Sequence, residues 1–189
     1  MDEHVSRPPG RVLETPRGDF MTAPVRTYAV PVPVPHPKQI RDLFLGLTGK
    51  DIEVGPVNPV VPGRDPAVVA VFVTDKLGTG AAVACDLPLA AYAGAALGLV
   101  PLPRAQESID SGVLSEDLTE NFSEVVNIMA SVFNEDPEAP HLKLYKVHAV
   151  GEKLPTDVAS SLGYVVRRLD LRIEVAGYGA GRLSSVSIG

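Results

Sequence analysis

The stretch Ser115-Glu-Asp-Leu-Thr-Glu-Asn-Phe-Ser-Glu-Val-Val-Asn-Ile-Met-Ala-Ser-Val-Phe-Asn134 has the spacing of one long amphipathic helix. At about 100° per residue, Leu118, Phe122, Val125, Val126, Met129, Val132 and Phe133 gather on one side. With Glu124 set at zero, Asp117, Glu120, Asn127 and Ser131 all fall within roughly sixty degrees of it. Glu124 and Asn127 therefore project from one polar surface, one turn apart. A helix with so wide an apolar stripe must bury it, and the flanking sequence supplies the surface.

Upstream, Pro37 suits a first helical turn. Ile40, Leu43, Phe44 and Leu47 follow at helical spacing until Gly49. Strands are expected at Asp51 to Val57, Ala67 to Val73 and Gly78 to Cys85, the last two joined by a turn at Lys76-Leu77-Gly78. Asp86 suits an N-cap for a helix over Pro88 to Leu99, whose Ala90, Gly94 and Gly98 would let another backbone approach closely. Pro101 to Ser115 reads as a polar connector. Downstream, strands are expected at Leu142 to Val150 and through Leu169, Leu171, Ile173 and Val175, which alternate with Arg168, Asp170, Arg172 and Glu174. Gly177, Gly179 and Gly181 mark a turn, and Leu183 to Ile188 can pair back as a hairpin. The order predicts an α+β fold, a mostly antiparallel sheet with helices packed on it. Each half runs helix then strands, a faint two-fold echo.

Residues 1 to 37 hold eight of the eighteen prolines. Residues 1–20 show no apolar periodicity and are expected to be a mobile Pro-rich tail, with one domain over 21–189 and Met21 as an alternative start. Val30 to Pro35 must be extended, since proline fixes φ and removes donors.

With 45% hydrophobic and 21% charged residues, the 189-residue chain has the composition of a globular protein. A net charge of −6 repels phosphate backbones and anionic lipid, so neither nucleic acid nor a membrane surface is an expected partner. The apolar run Leu87 to Val100 is too short to span a bilayer. The single cysteine, Cys85, reads as a small buried hydrophobe in a reducing compartment, which points to the cytoplasm. His4, His36, His141 and His148 lack metal-ligand spacing, and the glycine-rich stretches lack the helix a phosphate loop needs, so no metal or cofactor site is expected.

On composition alone, Glu124 and Asn127 are two residues of a solvated helix face. Their context says more. Gly78-Thr-Gly-Ala-Ala-Val-Ala-Cys-Asp-Leu-Pro-Leu-Ala-Ala-Tyr-Ala-Gly-Ala-Ala-Leu-Gly98, a connector, and then Leu118-Thr-Glu-Asn-Phe-Ser-Glu-Val-Val-Asn-Ile-Met129 resemble the CheC/CheX/FliY family, which dephosphorylates CheY-type response regulators. As an order of elements the resemblance covers roughly residues 38 to 149. It is specific around the Glu124/Asn127 helix. Three positions depart from the family pattern: Glu120 stands where Asp or Ser is usual, Ser131 where Gly is frequent, and Val150 where a proline is typical. The first helix has no Glu-x-x-Asn of its own, which resembles the single-site CheX arrangement.

The resemblance implies a CheX/CheC-like fold and a hydrolase acting on a receiver domain's aspartyl phosphate in chemotaxis or another two-component pathway. It implies that Asn127 orients the attacking water and that Glu124 pairs with the receiver's lysine. Asp117, Glu120 and Ser131 would complete the docking stripe. The Mg²⁺ would be held by the partner receiver domain, leaving this chain without a cofactor of its own, and a homodimer stays open. Two alternatives remain at this stage: a catalytically silent CheX-like binding or scaffold module, and an unrelated α+β domain whose helix matches by coincidence.

Overall fold

The computed structural model describes residues 31–164 and 167–188. The expected tail at 1–20, the alternative start at Met21, and Val30 lie outside the described residues. Proline and capping side chains start the first helix, α1 (Pro37–Thr48): the His36 ring accepts from the Lys38 amide, and the Gln39 side chain accepts from the His36 amide at 2.6 Å. Strands β1 (Ile52–Pro56), β2 (Ala67–Thr74) and β3 (Thr79–Asp86) follow. Asp86 then caps α2 (Leu87–Leu97), accepting from the Leu89 amide at 3.0 Å as its residue type suggested. After α3 (Leu102–Ser111) and the long α4 (Glu116–Phe133) come β4 (Leu142–His148), α5 (Thr156–Gly163), β5 (Arg168–Val175) and β6 (Gly179–Ser187).

The six strands form one sheet in the order β1-β5-β6-β3-β2-β4, and every neighbouring pair is antiparallel. Exchanging β1 with β4, β2 with β5 and β3 with β6 returns the same order read backwards. The echo seen in the sequence is thus a two-fold relation of topology, with the β3–β6 pair at its centre and α1 and α4 as equivalent helices.

Alternation along the strands sorts the core into two layers. Val68, Ala70 and Phe72 of β2, Val83 and Cys85 of β3, and Leu171 and Ile173 of β5 face α1, α2 and α4. Val69 and Val71, with Ala82 and Ala84, face the other way onto Val158 and Leu162 of α5. Both faces of β2 and β3 are covered, which is why these strands read as continuous apolar runs rather than alternating ones.

The sequence reading needs three corrections. The connector Pro101–Ser115 contains α3, started by Pro101 and Pro103 and ended by Gly112 in the left-handed region. Leu102, Ala105 and Ile109 fall at helical spacing on it, but the segment is short and mostly polar and buries only Ala105 and Ser108, so it reads as a connector. Helix α5 was not expected either, because its eight residues carry a single buried pair, Val158 and Leu162. Finally, Gly179 and Gly181 belong to β6, not to the turn. A β-carbon at Gly181 would stand 2.6 Å from the Asp86 carboxylate, so its glycine serves close packing of strand against helix cap. Pro31 to Pro35 pairs with no strand, yet Val32 is buried and its carbonyl accepts from the Ser187 hydroxyl at 2.8 Å.

Candidate functional site

Helix α4 is held on three sides. Its buried face, Leu118, Phe122, Val125, Val126, Met129, Val132 and Phe133, matches the stripe expected from the sequence, and the Phe133 ring meets Phe72 of β2 with centroids 5.1 Å apart. Helix α2 approaches at Gly94, where a β-carbon would lie 2.7 Å from the Leu118 carbonyl oxygen. At the C-terminal end, the Asn134 side chain accepts from the Leu142 amide and donates to the Leu142 carbonyl, both at 2.8 Å. One amide thereby ties the end of α4 to the start of β4.

The opposite face is open. Asp117, Glu120, Glu124, Asn127 and Ser131 are all exposed and share one strip of α4. Burial of Glu124 and Asn127 would have favoured an unrelated domain with a coincidental helix; among the described residues nothing covers them. Neither side chain makes a hydrogen bond or ion pair among the described residues. Among the described residues, Glu124 and Asn127 thus stand unpartnered, one turn apart, on an anchored helix.

The other three residues of the strip differ from this pair. Asp117 accepts from the Ser115 hydroxyl at 2.6 Å and lies 3.8 Å from the Arg104 guanidinium of α3. The Ser115 hydroxyl, with Arg104 adding to it, holds the Asp117 carboxyl below the usual carboxylate range. Ser131 donates to the Ile128 carbonyl at 2.7 Å, so its hydroxyl proton is used within the helix. Glu120 stands exposed without a partner among the described residues.

Sequence reasoning missed Arg104, which lies on the unrecognised α3. It also missed the neighbourhood of β4, where Glu152 accepts from the Ala149 amide at 3.0 Å and pairs with Lys146. The Lys146 ammonium, with the Ala149 amide, holds the Glu152 carboxyl below its usual range. His148 is buried, and its Nδ1 lies 3.2 Å from Glu152 without hydrogen-bond geometry. Among the described residues, no group of three or more His, Cys, Asp or Glu could hold a metal ion, and no helix is long and apolar enough to cross a membrane.

No family model and no curated protein matches the chain. Solved structures do. The FliM middle domain from H. pylori aligns at a TM-score of 0.54 with 8% identity, covering 80% of this chain and 84% of that one. The FliM middle domain from Vibrio alginolyticus aligns at 0.50 with 13% identity, covering 79% and 86%. CheX from Vibrio vulnificus aligns at 0.47 with 12% identity, covering 79% and 91%. At these identities the likeness is one of fold alone. The α+β fold expected from the sequence, a mostly antiparallel sheet with helices packed on it, is present, and the FliM middle domains share that fold.

Proposed function

We propose that this chain is a phosphatase of a phosphorylated CheY-type receiver domain. The observation that carries the reading is the exposed, unengaged pair Glu124 and Asn127 on a helix fixed at both ends. Hydrolysis of an aspartyl phosphate needs a water in line with phosphorus and stabilisation of the charge that develops on the oxygens. The receiver's own Mg²⁺ and lysine supply that stabilisation, so positioning is what a partner can add, and positioning is a large lever in phosphoryl transfer.

The Asn127 amide suits the task. Its oxygen accepts from water, and its nitrogen is uncharged and so neither repels nor displaces the metal. Glu124, one turn earlier, pairs with the receiver's lysine and sets the depth at which Asn127 enters. Asp117, Glu120 and Ser131 extend the docking strip along α4. Asp117 stands apart because it already leans on Ser115 and Arg104.

The test is phosphate release from a phosphorylated receiver with and without this protein. Wild type is expected to accelerate release and Asn127→Ala to abolish the acceleration. Because Asn127 is exposed, the variant should melt as wild type does. Undiminished release by Asn127→Ala would sink the mechanism.

A second reading is a binding module without turnover. Ser131 and Val150 favour it, standing where the resemblance expects glycine and proline. Two further aligned structures favour it too, a FliM–SpeE complex and a FliG–FliM complex from H. pylori, each at a TM-score of 0.54. Receiver binding with no change in phosphate release would select this reading.

A further inference from the structure

Beside the open strip, α4 walls a groove of about 190 Å³. Its apolar lining comes from Val113 and Leu114 before α4, Phe122 within it, Val147 of β4 and Val150 just after that strand. Thr119 and Ser123 also line it. On the helix, Thr119, Ser123 and Asn127 form one i, i+4, i+8 row, with neighbouring β-carbons roughly 5–6 Å apart. The groove therefore opens one turn from Asn127, on the same row. Sequence reading could not assemble it, because Val113 and Val147 come from opposite ends of α4.

Three observations identify what the groove takes. Val113 at its rim is 66% exposed, a branched aliphatic side chain left in water next to an apolar depression. The volume is below the ~300 Å³ at which small-molecule sites begin, so it fits one side chain better than a metabolite. On the α3–α4 side the charge is one-sided: residues 102–133 carry six carboxylates and one guanidinium, a balance of −5 in a chain of −6, while on the β4 side Glu152 lines the groove and pairs with Lys146. That field favours a partner whose contacting surface is cationic.

We propose that the groove receives an apolar side chain of the same receiver domain, one beside the lysine that Glu124 engages. This inference rests on the phosphatase reading and deepens it. The strip supplies the chemistry and the charged contact, while the groove supplies an anchor that fixes the angle at which Asn127 enters. A desolvated apolar anchor ringed by polar contacts is the usual arrangement of a binding hot spot.

The experiment measures binding of a CheY-type receiver domain, activated with beryllofluoride and Mg²⁺, by titration calorimetry. Wild-type chain is compared with Val113→Glu, which puts a charge on the rim, and Ser123→Phe, which fills the groove from α4. Melting curves accompany each variant, and the second substitution carries the test if the first perturbs folding. The expected result is wild-type binding with accelerated phosphate release, and Kd raised at least tenfold in both variants. If wild type binds and accelerates release while both variants bind within twofold of it, the groove proposal alone is overturned. If wild type neither binds nor accelerates release, the phosphatase reading falls and the proposed occupant falls with it. A wild-type dimer in sedimentation that Ser123→Phe dissociates would overturn the proposal in favour of a second copy.

Discussion

Gly94 of α2 lies against the backbone of Leu118 in α4, so close that a methyl group on Gly94 would stand 2.7 Å from the Leu118 carbonyl oxygen. The contact is with backbone, which cannot rotate away. Gly94→Ala should therefore push α4 off α2 and destabilise the fold by roughly 1–3 kcal/mol, the cost of overpacking a filled interface. Any gain in helix propensity, about 1 kcal/mol, acts against this. Urea unfolding of the variant reads the difference, and a midpoint at or above that of wild type would show that the helices separate freely.

Glu124 is expected to act through its charge. Glu124→Gln keeps its size and hydrogen-bonding reach while removing the attraction to a cation. Affinity for an activated receiver should fall by roughly 1–2 kcal/mol, about five- to thirtyfold in Kd. Wild-type affinity should also weaken as salt rises from 50 to 300 mM, with a flatter dependence in the variant. Equal Kd values and equal salt slopes would remove Glu124 from the docking contact.

How much of this could be read from the sequence depends on how local each signal is. The α4 stripe from Leu118 to Phe133 is local, and its limits, Ser115 and Asn134, stand one residue outside the helix found. The alternation of Leu169 to Val175 is local too, as is the Asp86 cap. The sheet order is not local: β1 pairs with β5 across most of the chain, and no spacing in either strand announces it. The Asn134 clamp on Leu142 depends on the turn between α4 and β4, and the groove depends on Val113 and Val147, from opposite sides of α4 in the chain, lining one depression. Helices α3 and α5 were illegible because they lie on the periphery and bury few side chains. The candidate pair itself was legible because one helix carries both members.

Cys85 offers a probe of global opening. The thiol is fully buried in β3, and burial, with the nearby Asp86 carboxylate adding to it, pushes its pKa up. The thiolate is the reactive form, so native protein at pH 8 should react negligibly with a thiol reagent. Reaction should rise with urea in step with unfolding followed by circular dichroism. Fast labelling without denaturant would mean that β3 opens locally.

The last prediction concerns acid. Asp65 accepts from the Val61 amide at 2.9 Å and from the Arg182 guanidinium at 3.1 Å, and Arg182 in turn donates to Asp86 at 3.0 Å. This network joins the loop before β2 to β6 and to the cap of α2. The Val61 amide, then Arg182, hold the Asp65 carboxyl below its ordinary value of 3.8. A carboxylate depressed in the folded state contributes stability above its unfolded pKa, about 3.9, and loses that contribution as pH falls through the folded value. Asp65→Asn keeps an acceptor for Val61 but removes the charge facing Arg182, so at pH 7 it should cost roughly 1.5–3 kcal/mol. The gap between wild type and variant should stay constant from pH 7 to about 5 and narrow below about 4, as wild type begins to lose the same charge. Urea midpoints at pH 7, 5 and 3 measure it. A gap that widens toward pH 3 would mean that Asp65 does not stabilise the fold through its ionised form.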